Sequence, residues 1–226
     1  MTSGPVPPVL LSSSGDHIQR AARPAETLVA GTADGVFVLR RSAAGEWVLA
    51  QRALQGCALS ALTRLESGAL IAGAHGQGVA RSDDGGENWR WINKGLTQFD
   101  IWSVRAGKLN GRERLYAGAM PAHLFVSDDG GESWRDLPAL RAVAGAEHWF
   151  FPPPPHLGHV KDIVVDATRL LVGIEVGALL ISEDEGESFT ALPVDADPRE
   201  VDVHRILVHP ARADRIVISN GLAGTM

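Results

Sequence analysis

Short apolar stretches ending in a glycine turn recur along the chain. LVAGTADGVFVLRRSAAGEWVL begins at Leu28, LIAGAHGQGVARSDDGGENWRWI at Leu70, LYAGAMPAHLFVSDDGGESWRDL at Leu115 and LLVGIEVGALLISEDEGESFTAL at Leu170. A fifth copy opens at Arg215 as RIVISNGLAGTM. The apolar runs are short, rich in Val, Ile and Leu, and bounded by Gly, Asp and Asn, which predicts strands joined by tight turns. Each copy reads as strand B (Leu-x-x-Gly), a turn, strand C, a second turn and strand D. A further strand, A, links successive copies at Ile101–Val104, Val160–Val165 and Val203–Val208.

Starts at 28, 70, 115 and 170 give spacings of 42, 45 and 55 residues, the last enlarged by an insertion around Pro152–Pro155. A period of this length with several short strands per unit predicts an all-β protein, a β-propeller of four-stranded antiparallel blades. The expected organisation is a tail over 1–26, able to supply one strand, followed by a propeller domain over 27–226. Within it lie a degenerate blade at 27–54, full blades at 57–96, 99–140 and 158–193, and a partial blade at 201–226. The sequence stops where the fifth unit needs its C strand and second turn. It therefore reads as an incomplete ring of four to five blades, unless Pro5–Gly15 folds back to close it.

The C–D turns carry the strongest signal, Ser-x-Asp-x-Gly-x-x-Trp/Phe. It occurs as Ser82, Asp84, Gly86, Trp89; as Ser127, Asp129, Gly131, Trp134; and as Ser182, Asp184, Gly186, Phe189. A tight hairpin must satisfy its own amides, and Ser and Asp side chains accept them locally. Glycine supplies a positive φ, and the aromatic residue packs on the hairpin. The first copy, Ser42–Trp47, is shorter and lacks the aspartate. These turns resemble the Asp-box (BNR) repeat family of sialidase-like, sortilin-like, xyloglucanase-like and photosystem II assembly-factor-like propellers, over roughly residues 28–220. The resemblance implies the blade and leaves the activity open, because one fold hosts many functions.

Net charge is −6, with no basic run, so nucleic acid and anionic membranes are poor partners. The single cysteine, Cys57, excludes an internal disulfide and a Cys-based zinc site. The N-terminus lacks a basic segment followed by a long apolar one, and no apolar run is long enough to span a bilayer; the default expectation is a cytoplasmic protein. No cofactor is expected. The aspartate pairs Asp83-Asp84 and Asp128-Asp129 lack the ligand ladder of a calcium loop.

Strand order puts the Asp boxes on one face and the B–C turns and D–A loops on the other, where loops gather at one mouth. The B–C turns supply His75, His123 and Glu175. The D–A loops supply Asp100, Trp102, His148, Trp149, His156, His159, His204 and Arg205. The segment EHWFFPPPPHLGH, Glu147–His159, is stiffened by four prolines and is expected to rim the mouth. Bland readings stand beside these: Trp102 as inter-blade core, His204 as a strand cap, the proline segment as a structural insertion. His156, His159 and His204 are the one candidate metal set, and no metal is the expectation.

Two functions compete. A glycoside hydrolase would need a carboxylate pair, for which Glu175, Asp162 and Asp100 are the candidates. A sialidase-like site, as the resemblance implies, would add an arginine cluster and a tyrosine nucleophile, and the single tyrosine, Tyr116, lies inside a B strand. The arginine-rich patch implied by assembly-factor relatives is not visible either. A binding module for a protein, a carbohydrate or another small ligand needs no such constellation and is the preferred reading.

Overall fold

The computed structural model describes residues 14–15, 25–195, 197, 200–221 and 224–225. The expectation for Pro5–Gly15 falls mostly outside the described residues. Within them the chain forms five sheets, one for each repeat. The first blade comprises β2 (Thr27–Thr32), β3 (Gly35–Arg41) and β4 (Trp47–Ala53). The second comprises β5 (Leu59–Arg64), β6 (Leu70–Ala74), β7 (Gly78–Ser82) and β8 (Arg90–Trp91), joined by β1 (Ser14–Gly15) parallel to β5. The third is β9 (Asp100–Leu109), β10 (Arg112–Met120), β11 (His123–Ser127) and β12 (Arg135–Asp136). The fourth is β13 (Val160–Asp166), β14 (Arg169–Ile174), β15 (Ala178–Ser182) and β16 (Thr190–Leu192). The fifth is β17 (Val203–His209), β18 (Arg212–Asn220) and β19 (Gly224–Thr225). All pairings except that of β1 are antiparallel between sequential strands, as in propeller blades.

Successive sheets stack through their faces, so a middle strand is buried on both sides. In β10, Leu115, Ala117 and Ala119 join the core shared with the second blade, while Tyr116 points to the core shared with the fourth. In β14, Leu170, Val172 and Ile174 face the third blade and Leu171 faces the fifth. This two-sided burial explains why the B strands read as continuous apolar runs rather than alternating ones. The B-strand glycines set how closely blades approach. A Cβ on Gly118 would overlap the side chains of Ser103 and Val160, and one on Gly173 would stand 2.7 Å from Val203 Cγ1.

The three Asp boxes repeat one hydrogen-bond pattern. The Ser127 hydroxyl donates to Asp129 Oδ1 at 2.8 Å and accepts from Gly131 N at 2.8 Å. Ser82 and Ser182 do the same for Asp84 and Gly86, and for Asp184 and Gly186. Bonds from the residue four positions on, Asn88, Ser133 or Ser188, are the main reason each aspartate is held at about 2. Trp134 reaches back to the preceding blade, where its indole donates to Ile92 O at 2.6 Å. Trp89 instead bonds Gly86 O within its own turn at 3.0 Å, and Phe189 packs half-buried against the third and fourth blades.

A second repeated feature is a β-bulge. In each of the four A strands one residue is skipped in the pairing with strand B, at the same point. It is Ser60 between Leu59 and Ala61, Trp102 between Ile101 and Ser103, Lys161 between Val160 and Asp162, and His204 between Val203 and Arg205. A bulge bends the strand and re-aims the extra side chain. The A strands of neighbouring blades pack on one another, and β1 lies against β5, β9 and β13. Three of the four bulged residues meet at the site described next.

Candidate functional site

Trp102, Lys161 and His204 gather with residues from the B–C turns and D–A loops into a buried polar cluster. At one end, His75 Nδ1 lies 2.8 Å from Asp100 Oδ1, and the His75 ring meets Trp102 edge-on at 4.7 Å. Burial alone would raise the Asp100 carboxyl, but hydrogen bonds from His75 and Trp102 outweigh it and hold it below the usual range. Trp102 lies over His159 at 3.7 Å between ring centroids, and Phe151 closes on both at 5.2 and 4.8 Å. Trp102, Met120 and Phe151 form a small apolar cluster of their own. Trp102 is thus core and wall of the site at once.

In the centre, Glu175 is paired from two sides. His159 Nε2 is 2.7 Å and Lys161 Nζ 2.9 Å from its Oε2. Lys161 is only 2% exposed, and its ammonium stands 5.7 Å from the Trp102 ring centroid. Burial pushes the Glu175 carboxyl up, but His159 and Lys161 outweigh it and hold it at about 2. Burial likewise dominates His159 and keeps it below its ordinary value, against the pull of Glu175. At the far end, His204 Nε2 lies 3.0 Å from Asp202 Oδ1 and 3.7 Å from Glu175 Oε1. Burial raises the Asp202 carboxyl, with His204 opposing the rise and Glu175 adding to it.

Of the residues singled out in the sequence, His75, Asp100, Trp102, His159, Glu175 and His204 come together here. Asp162 does not: it is 1% exposed and fastens two blades, accepting from Ile206 N at 2.9 Å and Ile163 N at 3.0 Å. Burial pushes its carboxyl up to about 6. Arg205 Nη1 lies 3.5 Å from Asp162 Oδ1, so it belongs to that fastening. His123 turns to its own loop, with Nδ1 3.1 Å from Pro121 O. His148 is exposed beside Glu147. His156 is exposed on a left-handed backbone, its Nδ1 3.3 Å from Phe151 O. Among the described residues, His156, His159 and His204 do not form one ligand set. Trp149 lines a separate apolar cavity of about 460 Å³ with Val143, Phe150, Val176, Ala178 and Ala191.

Lys161, Asp202, Phe151 and Met120 were not singled out by sequence reasoning. For Lys161 a signal existed: a lysine inside an apolar strand, at the position taken by Trp102 and His204 in their units.

The comparisons bear on the fold. The BNR/Asp-box repeat model matches residues 125–136, the third-blade turn. The fold is that of an Asp-box β-propeller. No curated protein matches the sequence. Among solved structures, YCF48 bound to D1 peptide superposes with a TM-score of 0.60 at 19% identity, over 88% of this chain and 59% of that one. The Niastella koreensis GH74 enzyme gives 0.54 at 19% identity, over 88% of this chain and 27% of the other. The WD40 β-propeller domain of Doa1 gives 0.59 at 12% identity, over 86% and 58%. The chain thus spans about three fifths of the YCF48 chain and about a quarter of the GH74 chain. At these identities the likeness is one of fold. No helix among the described residues is long and apolar enough to cross a membrane.

Proposed function

We propose that the chain is a non-catalytic binding propeller that takes a protein segment or small ligand at the mouth formed by the B–C turns and D–A loops. The observation that carries this reading is the repeated bulge: the same backbone device aims Trp102, Lys161 and His204 at one cluster, while their chemistry differs from blade to blade. A fixed scaffold with varied side chains at one mouth is the usual build of a recognition site. YCF48, whose structure holds a D1 peptide, lends the same fold to this reading. The test is a screen of peptide and oligosaccharide arrays. A genuine ligand loses at least about tenfold in affinity with Glu175→Gln and nothing with Glu132→Ala on the Asp-box face. Equal loss from both, or from neither, refutes the placement.

One observation favours glycoside hydrolysis as a second reading. Carboxylate oxygens of Glu175 and Asp202 lie within 4.8 Å of each other, and their environments push the two groups in opposite directions. Opposed shifts are the mark of an acid and a base, and retaining enzymes hold their pair about 5–5.5 Å apart. Against it, Glu175 Oε2 is held by Lys161 and His159, and His204 sits beside both carboxylates. Neither earlier candidate partner is free, Asp100 being held by His75 and Asp162 lying between blades. Tyr116, needed for a sialidase-like site, is fully buried. Turnover of aryl glycosides or xyloglucan that disappears in both Glu175→Gln and Asp202→Asn would displace the binding reading.

A further inference from the structure

Glu175, Asp202 and His204 converge at the far end of the cluster. One ligand atom from each, the two carboxylate oxygens and an imidazole nitrogen, falls within 4.8 Å of the others. We propose that these three side chains form a binding site for a divalent transition cation of the zinc type, open to solvent on the His204 side.

Four observations support the assignment. First, the donor set is mixed. Two carboxylates match the charge of a divalent ion, and an imidazole selects zinc and its neighbours over magnesium or calcium, which prefer oxygen alone. Three protein ligands with one open position is a common zinc arrangement. Second, the donors are already fixed. Val203 N donates to Glu175 O at 2.7 Å, Gly221 N to Asp202 O at 2.9 Å, and Asp202 N to Asn220 Oδ1 at 2.9 Å. Their backbones are therefore tied across two blades, and His204 is delivered by the bulge. Third, Gly221 leaves the space. A Cβ there would overlap Asp202 Oδ2 and stand 2.7 Å from His204 Nε2. A side chain there would displace one or both donors.

Fourth, each carboxylate keeps an oxygen on the side of His204. Asp202 Oδ1, like Glu175 Oε2, is buried without a well-formed hydrogen bond among the described residues, although His204 Nε2 lies 3.0 Å from the first and Lys161 Nζ 2.9 Å from the second. Lys161 and His159 occupy Glu175 Oε2, leaving Oε1, which faces His204, to coordinate. Outer partners of this kind fix the orientation of a ligating carboxylate. His204 is 41% exposed at its side chain, so water can complete the coordination and the ion can enter.

The test is calorimetric titration of the chelator-treated chain with zinc chloride at pH 7.5, with no other ligand present. Its outcome is therefore independent of whether any ligand of the mouth is found. One zinc per chain is expected, with magnesium and calcium not competing. Asp202→Asn and His204→Gln should each weaken binding by at least about tenfold. Gly221→Ala should do the same without removing a ligand. His148→Gln and His209→Gln, remote histidines, should leave the affinity unchanged. Zinc should also raise the melting temperature of the parent and leave that of His204→Gln unmoved. If Gly221→Ala does not fold, the two near-isosteric ligand variants carry the test alone. Absence of stoichiometric zinc binding by the folded chain overturns the proposal, as do equal affinities in parent and ligand variants or preference for calcium or magnesium.

Discussion

Replacing Lys161 by methionine isolates the charge at the centre of the cluster. Methionine keeps most of the apolar stem that packs near Trp102 and removes the ammonium 2.9 Å from Glu175 Oε2. Glu175, 8% exposed, then keeps His159 as its close partner but loses its full positive charge. Breaking a buried pair by deleting one member costs about 3–5 kcal/mol, because the remaining charge cannot return to water. The carboxyl itself reports the combined effect of its surroundings. Its folded pKa of about 2, against an ordinary 4.5, corresponds to about 3 kcal/mol of preference for the ionised form. That net includes His159, the larger contributor, as well as Lys161, so the broken-pair figure sets the expectation: a loss of about 3 kcal/mol for Lys161→Met at neutral pH.

Glu175→Gln should cost a similar amount by stranding the ammonium. The double variant Lys161→Met/Glu175→Gln should be more stable than the sum of the singles implies by at least about 1.5 kcal/mol, since neither charge is left alone. Urea denaturation followed by tryptophan fluorescence measures all four proteins. Single losses that add to within about 0.5 kcal/mol, or a Lys161→Met loss below about 1 kcal/mol, would refute the coupled-cluster reasoning. Acid titration supplies a signed check. The folded pKa of Glu175 lies below its unfolded value, so its contribution is complete above about pH 4.5 and is lost as the pH falls toward 2. In Lys161→Met the folded pKa rises, and acid unfolding should begin at a higher pH.

Other expectations follow from the blade architecture. Ser127→Ala leaves the buried Gly131 N–H without its acceptor and should cost about 1–3 kcal/mol in urea denaturation, without altering binding at the mouth. Gly118→Ala drives a methyl against Val160 and Ser103 between the third and fourth blades; overpacking should cost about 1–3 kcal/mol, lowering the melting temperature by about 2–4 °C for each kcal/mol. Asp162 titrates in the opposite sense to Glu175. Its folded pKa is raised to about 6, so its contribution is complete below about pH 3.8 and declines as the pH rises through 6. Asp162→Asn should therefore flatten the stability profile between those values, measured as urea midpoint against pH.

The sequence by itself determined the blades. Ser, Asp and Gly at fixed spacing act through hydrogen bonds within a few residues, so the C–D turns are written in local sequence. The Leu-x-x-Gly runs are equally legible, because a strand buried on both faces must be apolar throughout and a glycine must stand where the next blade comes closest. From that order the two ends of the propeller followed, and with them His75, Asp100, Trp102, His159, Glu175 and His204 as residues of one end. Tertiary structure alone decided which of them meet. Asp162 and Arg205 lie in the same stretch of sequence as the site residues, yet their side chains enter the seam between blades. Lys161 stands out in sequence only as a charge inside an apolar strand and Asp202 not at all, and the bulge at Lys161 and the bridge of Asp202 to Val176 bring them beside Glu175. A bulge is a register shift between two strands, set by how blades pack; its only trace in the sequence is a polar or aromatic residue at one repeated position of an otherwise apolar A strand.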